Sequence, residues 1–277
     1  MSLRLQQTIE RAREHQPLEI ENIDYTLHNP ERLREELGNT FSYFGRVEKE
    51  VQRDAKTIET FLPHLAPELS DFVQNIWVPQ EVPHGQAFDA LQGYLGDTPL
   101  PLDDHVGFDM KLAGQVARMS PSLHRTFEMV YVVRGALHEK MTAVGYRREQ
   151  AHLERLGERA LIETMFKPIR AQEAGHLNVY KAAAEATKAQ LAPWQLWLAR
   201  KITLATYTPV GTGNPSDQNK PHFGQLADVL TGESLEDFVG PVQDLAHDLL
   251  VEGDGLLPKF VIKSVAQCIE LSRQQAA

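Results

Sequence analysis

Two tetrapeptides restrict this chain more than any other feature: Glu81-Val-Pro-His84 and Glu173-Ala-Gly-His176. Each sets a carboxylate and an imidazole three residues apart. On a helix, that spacing puts both side chains on one face, about one turn apart. A carboxylate on an apolar face is costly unless it is neutralised or partnered. Two such pairs therefore fit best on two helices that face each other, with a glutamate from each of two further helices. That is the ligand set of a carboxylate-bridged dinuclear metal site in a four-helix bundle. Spacing alone does not make a site. A third match, Glu149-Gln-Ala-His152, lies among Arg147, Arg148, Gln150 and Glu154 and reads as a solvated helix face.

The rest of the pattern is helical. Apolar residues Phe41, Phe44, Val51, Ala55, Ile58 and Leu62 recur at helical spacing from about 31 to 62. A second helix is expected from about 68 to 95, then a short one near 105–118. Ser120 and Pro121 read as the N-cap and first residue of another, running to about Gly145. The next helical stretch covers about 148 to 190, with Pro168 expected to kink or divide it. Pro193 opens a further helix through Trp194, Trp197 and Ile202. A long loop follows over 209–219, and helices near 221–231, 234–250 and 258–274 close the chain. Strand-like alternation is nearly absent. The expected fold is all-α: a ferritin-like four-helix bundle with additional N- and C-terminal helices, in one domain spanning 1–277 with an N-terminal extension of about 1–30.

Composition narrows the function classes. The net charge is 28 − 38 = −10 over 277 residues, which disfavours nucleic acid as the main partner. Arg147–Arg148 or Lys167 with Arg170 could form only a local basic patch, and a solvated helix face is the plainer reading. The single cysteine, Cys268, allows no internal disulfide and reads as a small buried thiol. No apolar run approaches the roughly 18 residues of a membrane span, and the N-terminus carries no signal-like core. A cytoplasmic protein without a membrane span is expected.

The helix faces identify the metal-ligand candidates. Trp77, Val73, Phe88, Leu91 and Leu95 share the face of Glu81 and His84. Phe166, Ile169, Leu177 and Tyr180 share that of Glu173 and His176. Glu139 shares a face with Val132, Ala136, Thr142, Ala143 and Tyr146. On the first long helix the partner is Glu48 or Glu50, and the apolar stripe running through Glu48 favours it. Hard oxygen donors with one imidazole per metal suit iron or manganese.

These segments resemble a known family. Trp77-Val-Pro-Gln-Glu81-Val-Pro-His84-Gly85 is similar to the Trp-x-x-Glu-Glu-x-x-His-Gly segment of the soluble acyl-[acyl-carrier-protein] desaturases. Ala171-Gln-Glu173-Ala-Gly-His176-Leu-Asn-Val-Tyr180 is similar to their second ligand helix, and Glu139-Lys-Met-Thr142 to their third-helix glutamate and threonine. The stretch from His222-Phe223 to Glu236-Asp-Phe238 resembles their C-terminal region, so the likeness covers roughly 40 to 250.

The resemblance implies two irons held by Glu48, Glu81, His84, Glu139, Glu173 and His176, with Glu81 and Glu173 bridging. It assigns Thr142 to oxygen activation, and a core threonine bonded to its own helix is the alternative. It implies an oxygen-dependent desaturase of fatty acid metabolism that takes an acyl chain on acyl-carrier protein, draws electrons from ferredoxin and forms a homodimer.

Three departures stand out. Pro79 and Pro83 are expected to distort the helix at its ligands. Gln172 stands where the family has an aspartate, and Gln80 where it has a glutamate. Rival readings are another di-iron oxygenase (a hydroxylase or N-oxygenase), a ribonucleotide reductase small-subunit relative, and a degenerate metal-binding bundle. The reductase reading needs a radical tyrosine beside the metal, and neither Tyr146 nor Tyr180 reads as well placed for it.

Overall fold

A computed structural model describes residues 2–61, 65–99, 120–212 and 234–276. The described residues are helical and contain no strand. The helices expected near 105–118 and 221–231 lie outside them, as does most of the 209–219 loop.

Helix α1 (Leu3–Glu14) is capped by the Ser2 side chain, which accepts from the Leu5 N–H. Its buried stripe, Leu5, Ile9 and Ala12, is apolar at helical spacing. Helix α2 (Pro30–Phe61) buries Leu33, Leu37, Phe41, Phe44, Glu48, Val51, Ala55 and Ile58. Steps of three and four make this one stripe, and Glu48 occupies a core position within it. A second helix begins as α3 (Pro67–Phe72), passes through a π-helical turn (Val73–Trp77) and continues as α4 (Val78–Tyr94).

Helix α5 (Pro121–Leu156) starts on Ser120, whose Oγ accepts from the Leu123 N–H, and stops at Gly157 with φ 82°. Only glycine takes that left-handed conformation cheaply. The break expected at 145–148 is therefore at Gly157 instead. The buried Glu158 carboxylate then accepts from the His28 and Asn29 N–H groups, both at 2.9 Å, tying this corner to the start of α2. A short helix α6 (Arg159–Leu161), a second π turn (Ile162–Phe166) and α7 (Lys167–Lys188) follow. Helices α8 (Pro193–Thr206), α9 (Leu235–Leu250) and α10 (Phe260–Ala276) complete the described chain.

Four long helices form the core. α2 pairs antiparallel with α4, since Arg34 meets Asp97 and Lys49 meets Asp89. α5 pairs antiparallel with α7, since Tyr131 meets Tyr180 and Gln150 meets Arg170. Glycine permits both close approaches. A side chain at Gly85 would strike Lys49, and one at Gly135 would overlap the Tyr180 ring. Between the pairs, α4 and α7 are antiparallel, because Gln80 meets His176 and His84 meets Gln172. On the diagonal α4 and α5 run the same way: Trp77 meets Glu139, and Phe88 stacks on Tyr146. α4 thus ends and α5 begins at opposite ends of the bundle, the connectivity of a ferritin-like fold. α1 packs on α7, α8 and α9 pack on α5, and α10 packs on α9.

Both π turns precede ligand-bearing helices. In each, the closing N–H reaches five residues back: Val78 to Val73, and Lys167 to Ile162. A proline then occupies the second residue of the next segment, Pro79 or Pro168. Proline has no N–H to give a regular helix, and it lies here just beyond the widened turn. The distortion expected at Glu81 and His84 therefore sits one turn earlier. α4 itself is continuous through Pro83. Pro168 likewise follows a π turn inside a continuing helix and does not divide it. None of the described helices is long and apolar enough to cross a membrane.

Candidate metal centre

The six sequence candidates come together in the middle of the bundle. Glu48 comes from α2, Glu81 and His84 from α4, Glu139 from α5, and Glu173 and His176 from α7. All six are buried. Glu48, Glu81, His84 and Glu173 converge on one point, and Glu81, Glu139, Glu173 and His176 on a second. In each group one donor atom per residue lies within 4.8 Å of the others. Glu81 and Glu173 belong to both groups, which leaves one glutamate and one histidine for each position.

Glu50, the alternative on α2, is elsewhere. It pairs with Arg46 at 3.0 Å and Arg53 at 3.1 Å. Thr142 is buried one turn beyond Glu139 on α5.

The distances show what the cluster needs. His176 Nδ1 lies 2.8 Å from Glu81 Oε1, and His84 Nδ1 lies 3.2 Å from both Glu81 Oε2 and Glu173 Oε1. On the far side of each ring, His84 Nε2 is 2.6 Å from Gln172 Oε1, and His176 Nε2 is 2.7 Å from Gln80 Oε1. An amide oxygen only accepts, so each Nε2 carries a proton. A neutral imidazole then turns its Nδ1 lone pair toward carboxylate oxygens. That contact requires a positive charge, either a second ring proton or a metal cation. His176 Nδ1 and Glu173 Oε1 are buried, and their short contacts to Glu81 and His84 lack hydrogen-bond geometry, as expected of atoms directed at a cation. The residues present thus fit a pair of metal ions. Four carboxylates balance the charge of two divalent cations.

Electrostatics in the metal-free protein agree. Burial, and then the charges of Glu81 and Glu173, hold the Glu48 carboxyl well above its ordinary value. Burial, and then Glu173 and Glu81, do the same to Glu139. Burial opposes ionisation of Glu81, yet a hydrogen bond from Glu48 and the neighbouring His176 and His84 together hold it well below. For His84, burial opposes the charged form, but Glu173 and Glu81 overcome it and raise the group to about 10.

Compared with family models, curated proteins and solved structures, the chain matches none. The centre is a buried acidic and histidine cluster able to hold metal.

Three surrounding residues extend it. Trp77 Nε1 donates to Glu139 Oε1 at 3.0 Å, and Tyr146 OH donates to Glu48 Oε1. Tyr180 forms a T-shaped contact with Trp77 and exchanges a 2.9 Å hydrogen bond with Tyr131. The sequence discounted Tyr146 as metal-adjacent, yet its hydroxyl touches a candidate ligand. Its position seven residues, or two turns, after Glu139 was the available signal. The crossed glutamine–histidine contacts were not apparent from sequence, because each joins different helices.

The third Glu-x-x-His segment forms no such site. His152 pairs with Glu36 and Arg155. Glu149, however, is fully buried, which overturns its reading as solvated. Cys268 is half-buried, with its thiol 3.6 Å from Thr212 Oγ1.

Proposed function

We propose that this protein is a dinuclear metal oxidoreductase of the di-iron carboxylate type, acting as a desaturase on an acyl chain carried by acyl-carrier protein. The observation that carries the metal reading is the sharing of Glu81 and Glu173 between two otherwise separate donor sets. The substrate reading rests on the likeness of the segments around Glu81, Glu139 and Glu173 to the acyl-carrier-protein desaturases.

When bound, two irons supply reduction of dioxygen and removal of hydrogen from an unactivated C–H bond. The balance is one dioxygen, two electrons and two protons, with two hydrogens from the chain, giving one double bond and two waters. Ferredoxin is the proposed electron donor.

The chain's own residues contribute as follows. Glu48 would help hold one of the two positions and Glu139 the other, steadied by Tyr146 and Trp77. His84 and His176 present Nδ1 inward. Phe72, Phe88, Phe166 and Tyr180 are buried in the core, with the Phe72 ring edge-on to His176. Thr142, one turn from Glu139, is proposed to assist oxygen activation. A homodimer in the cytoplasm, the carrier protein and ferredoxin belong to the same proposal.

One observation favours a second reading, a bundle that binds metal without turnover. Gln80 and Gln172 are neutral where the resembling family carries acids.

Anaerobic loading with ferrous iron, followed by assay with acyl-carrier protein substrates, ferredoxin and dioxygen, separates the two. Two irons per chain and a product two mass units lighter support the desaturase. Two irons with no such product across chain lengths favour another oxygenase or the binding role. No iron rejects the metal reading.

A further inference from the structure

Both candidate histidines are held from behind, and the holders are themselves held by the N-terminal segment. Gln172 Nε2 donates to the Gln16 carbonyl at 2.7 Å. Gln80 Nε2 donates to the Ala12 carbonyl at 3.2 Å and to the His15 carbonyl. A carbonyl only accepts, so each amide NH2 must face residues 12–16 and each amide oxygen must face an imidazole. The orientation of both side chains thus follows from their partners. Both glutamines are buried. The segment reaches them because α1 ends against Gly175 of α7, where Ala12 and His15 approach a position without a side chain.

The arrangement crosses over. The residue before Glu81 serves the histidine after Glu173, and the residue before Glu173 serves the histidine after Glu81. We propose that Gln80 and Gln172 are a matched pair of positioning residues, aimed by the backbone of residues 12–16, that hold both histidines with Nδ1 toward the metal positions through neutral contacts. This inference rests on the metal reading above.

The N-terminal carbonyls also explain why amides stand here. A glutamate at either position would set a carboxylate oxygen against a carbonyl oxygen, with no proton to share. The N-terminal segment and an anionic support for the histidines therefore exclude each other. A neutral amide strengthens imidazole donation less than an anion does. The four candidate carboxylates already cancel two divalent ions, and neither amide adds a negative charge that would favour a further positive one. The centre is accordingly tuned toward its divalent state.

The test uses the full chain with Gln80→Leu, Gln172→Leu, Gln80→Glu and Gln172→Glu, read by cobalt affinity, by 15N NMR of the zinc-loaded protein, by midpoint potential with iron, and by hydrogen exchange of α1. Each leucine variant is expected to weaken one metal position by about 10–100-fold, the usual cost of losing such a support, and to alter the NMR signature of one histidine. Each glutamate variant keeps the shape of the side chain and changes its charge. It is expected to speed exchange in α1 at least tenfold. It should also favour the oxidised state about tenfold, or about 59 mV for one electron.

Two metals bound by the leucine variants with wild-type affinity and unchanged histidine signals overturn the inference alone. Unchanged α1 exchange and potential in the glutamate variants overturn the anchoring and charge arguments. A wild-type chain that binds no metal overturns the metal reading and this inference together.

Discussion

Helix α5 carries two buried glutamates that have met opposite fates. Glu139 faces Trp77, Glu81, Glu173 and His176 in the centre of the bundle. Glu149, about 15 Å further along the helix, has neither carboxylate oxygen hydrogen-bonded. Burial alone pushes its carboxyl well above the ordinary range. Both sit on an inward face, and Glu149 even carries the Glu-x-x-His spacing. The difference lies in what the opposing helices bring. Around Glu139 they bring histidines, an indole and further carboxylates, so charge can be shared or balanced by metal. No described residue hydrogen-bonds either Glu149 oxygen, and burial favours its neutral form. Spacing puts a pair on a face, and the facing helices decide whether it becomes a site.

The largest effects should come from breaking the shared part of the centre. Glu81→Ala or Glu173→Ala is expected to abolish binding at both metal positions. Glu48→Ala or Glu139→Ala should leave one metal per chain. Metal stoichiometry after anaerobic loading distinguishes these outcomes, and equal losses in all four variants would contradict the shared arrangement.

Metal should next appear as stability. Only the folded chain assembles the six donors, so metal at about 100 times its dissociation constant should add ~2.7 kcal/mol per site. A chelator should reverse the gain, as read from urea midpoints.

Glu149 should respond in the opposite way. Its folded pKa is raised above the 4.5 of a free carboxyl, so the native state keeps a proton that the unfolded chain releases. Stability from this group is whole below that value and falls as pH rises toward the folded pKa. Glu149→Leu should therefore stabilise the protein at pH 8 by roughly 1–3 kcal/mol, the cost of a buried unpartnered polar group. It should gain less at pH 4, in denaturation at both pH values.

The smallest effects should separate the two metal positions. Tyr146→Phe removes the donor to Glu48, and Trp77→Phe the donor to Glu139. Each should cost ~1 kcal/mol, the net worth of one hydrogen bond, and weaken its own position about fivefold. Titration with cobalt should show the two variants affecting different steps.

Much of this was legible because helical geometry is periodic. The stripe through Phe41, Phe44, Val51, Ala55 and Ile58 leaves room for Glu48 and not for Glu50, and Glu139 shares its face with small residues. The six side chains that meet could therefore be chosen from one sequence. What periodicity cannot reveal depends on contacts between helices. The burial of Glu149 is set by its neighbours across the core, as are the Gln80–His176 and Gln172–His84 crossings. α1 reads as an extension until its carbonyls are seen against both glutamines. The π turns before Pro79 and Pro168 hold an extra residue that no apolar pattern marks. Gly157, rather than Gly145, ends α5 because its left-handed backbone turns the chain there.

Anomalous scattering at the iron edge, from crystals loaded anaerobically with ferrous iron, tests the central claim most directly. Two peaks are expected inside the bundle, one beside Glu48 and His84 and the other beside Glu139 and His176, with Glu81 and Glu173 reaching both. No peak among these six side chains, or iron held only by surface carboxylates, would contradict the account.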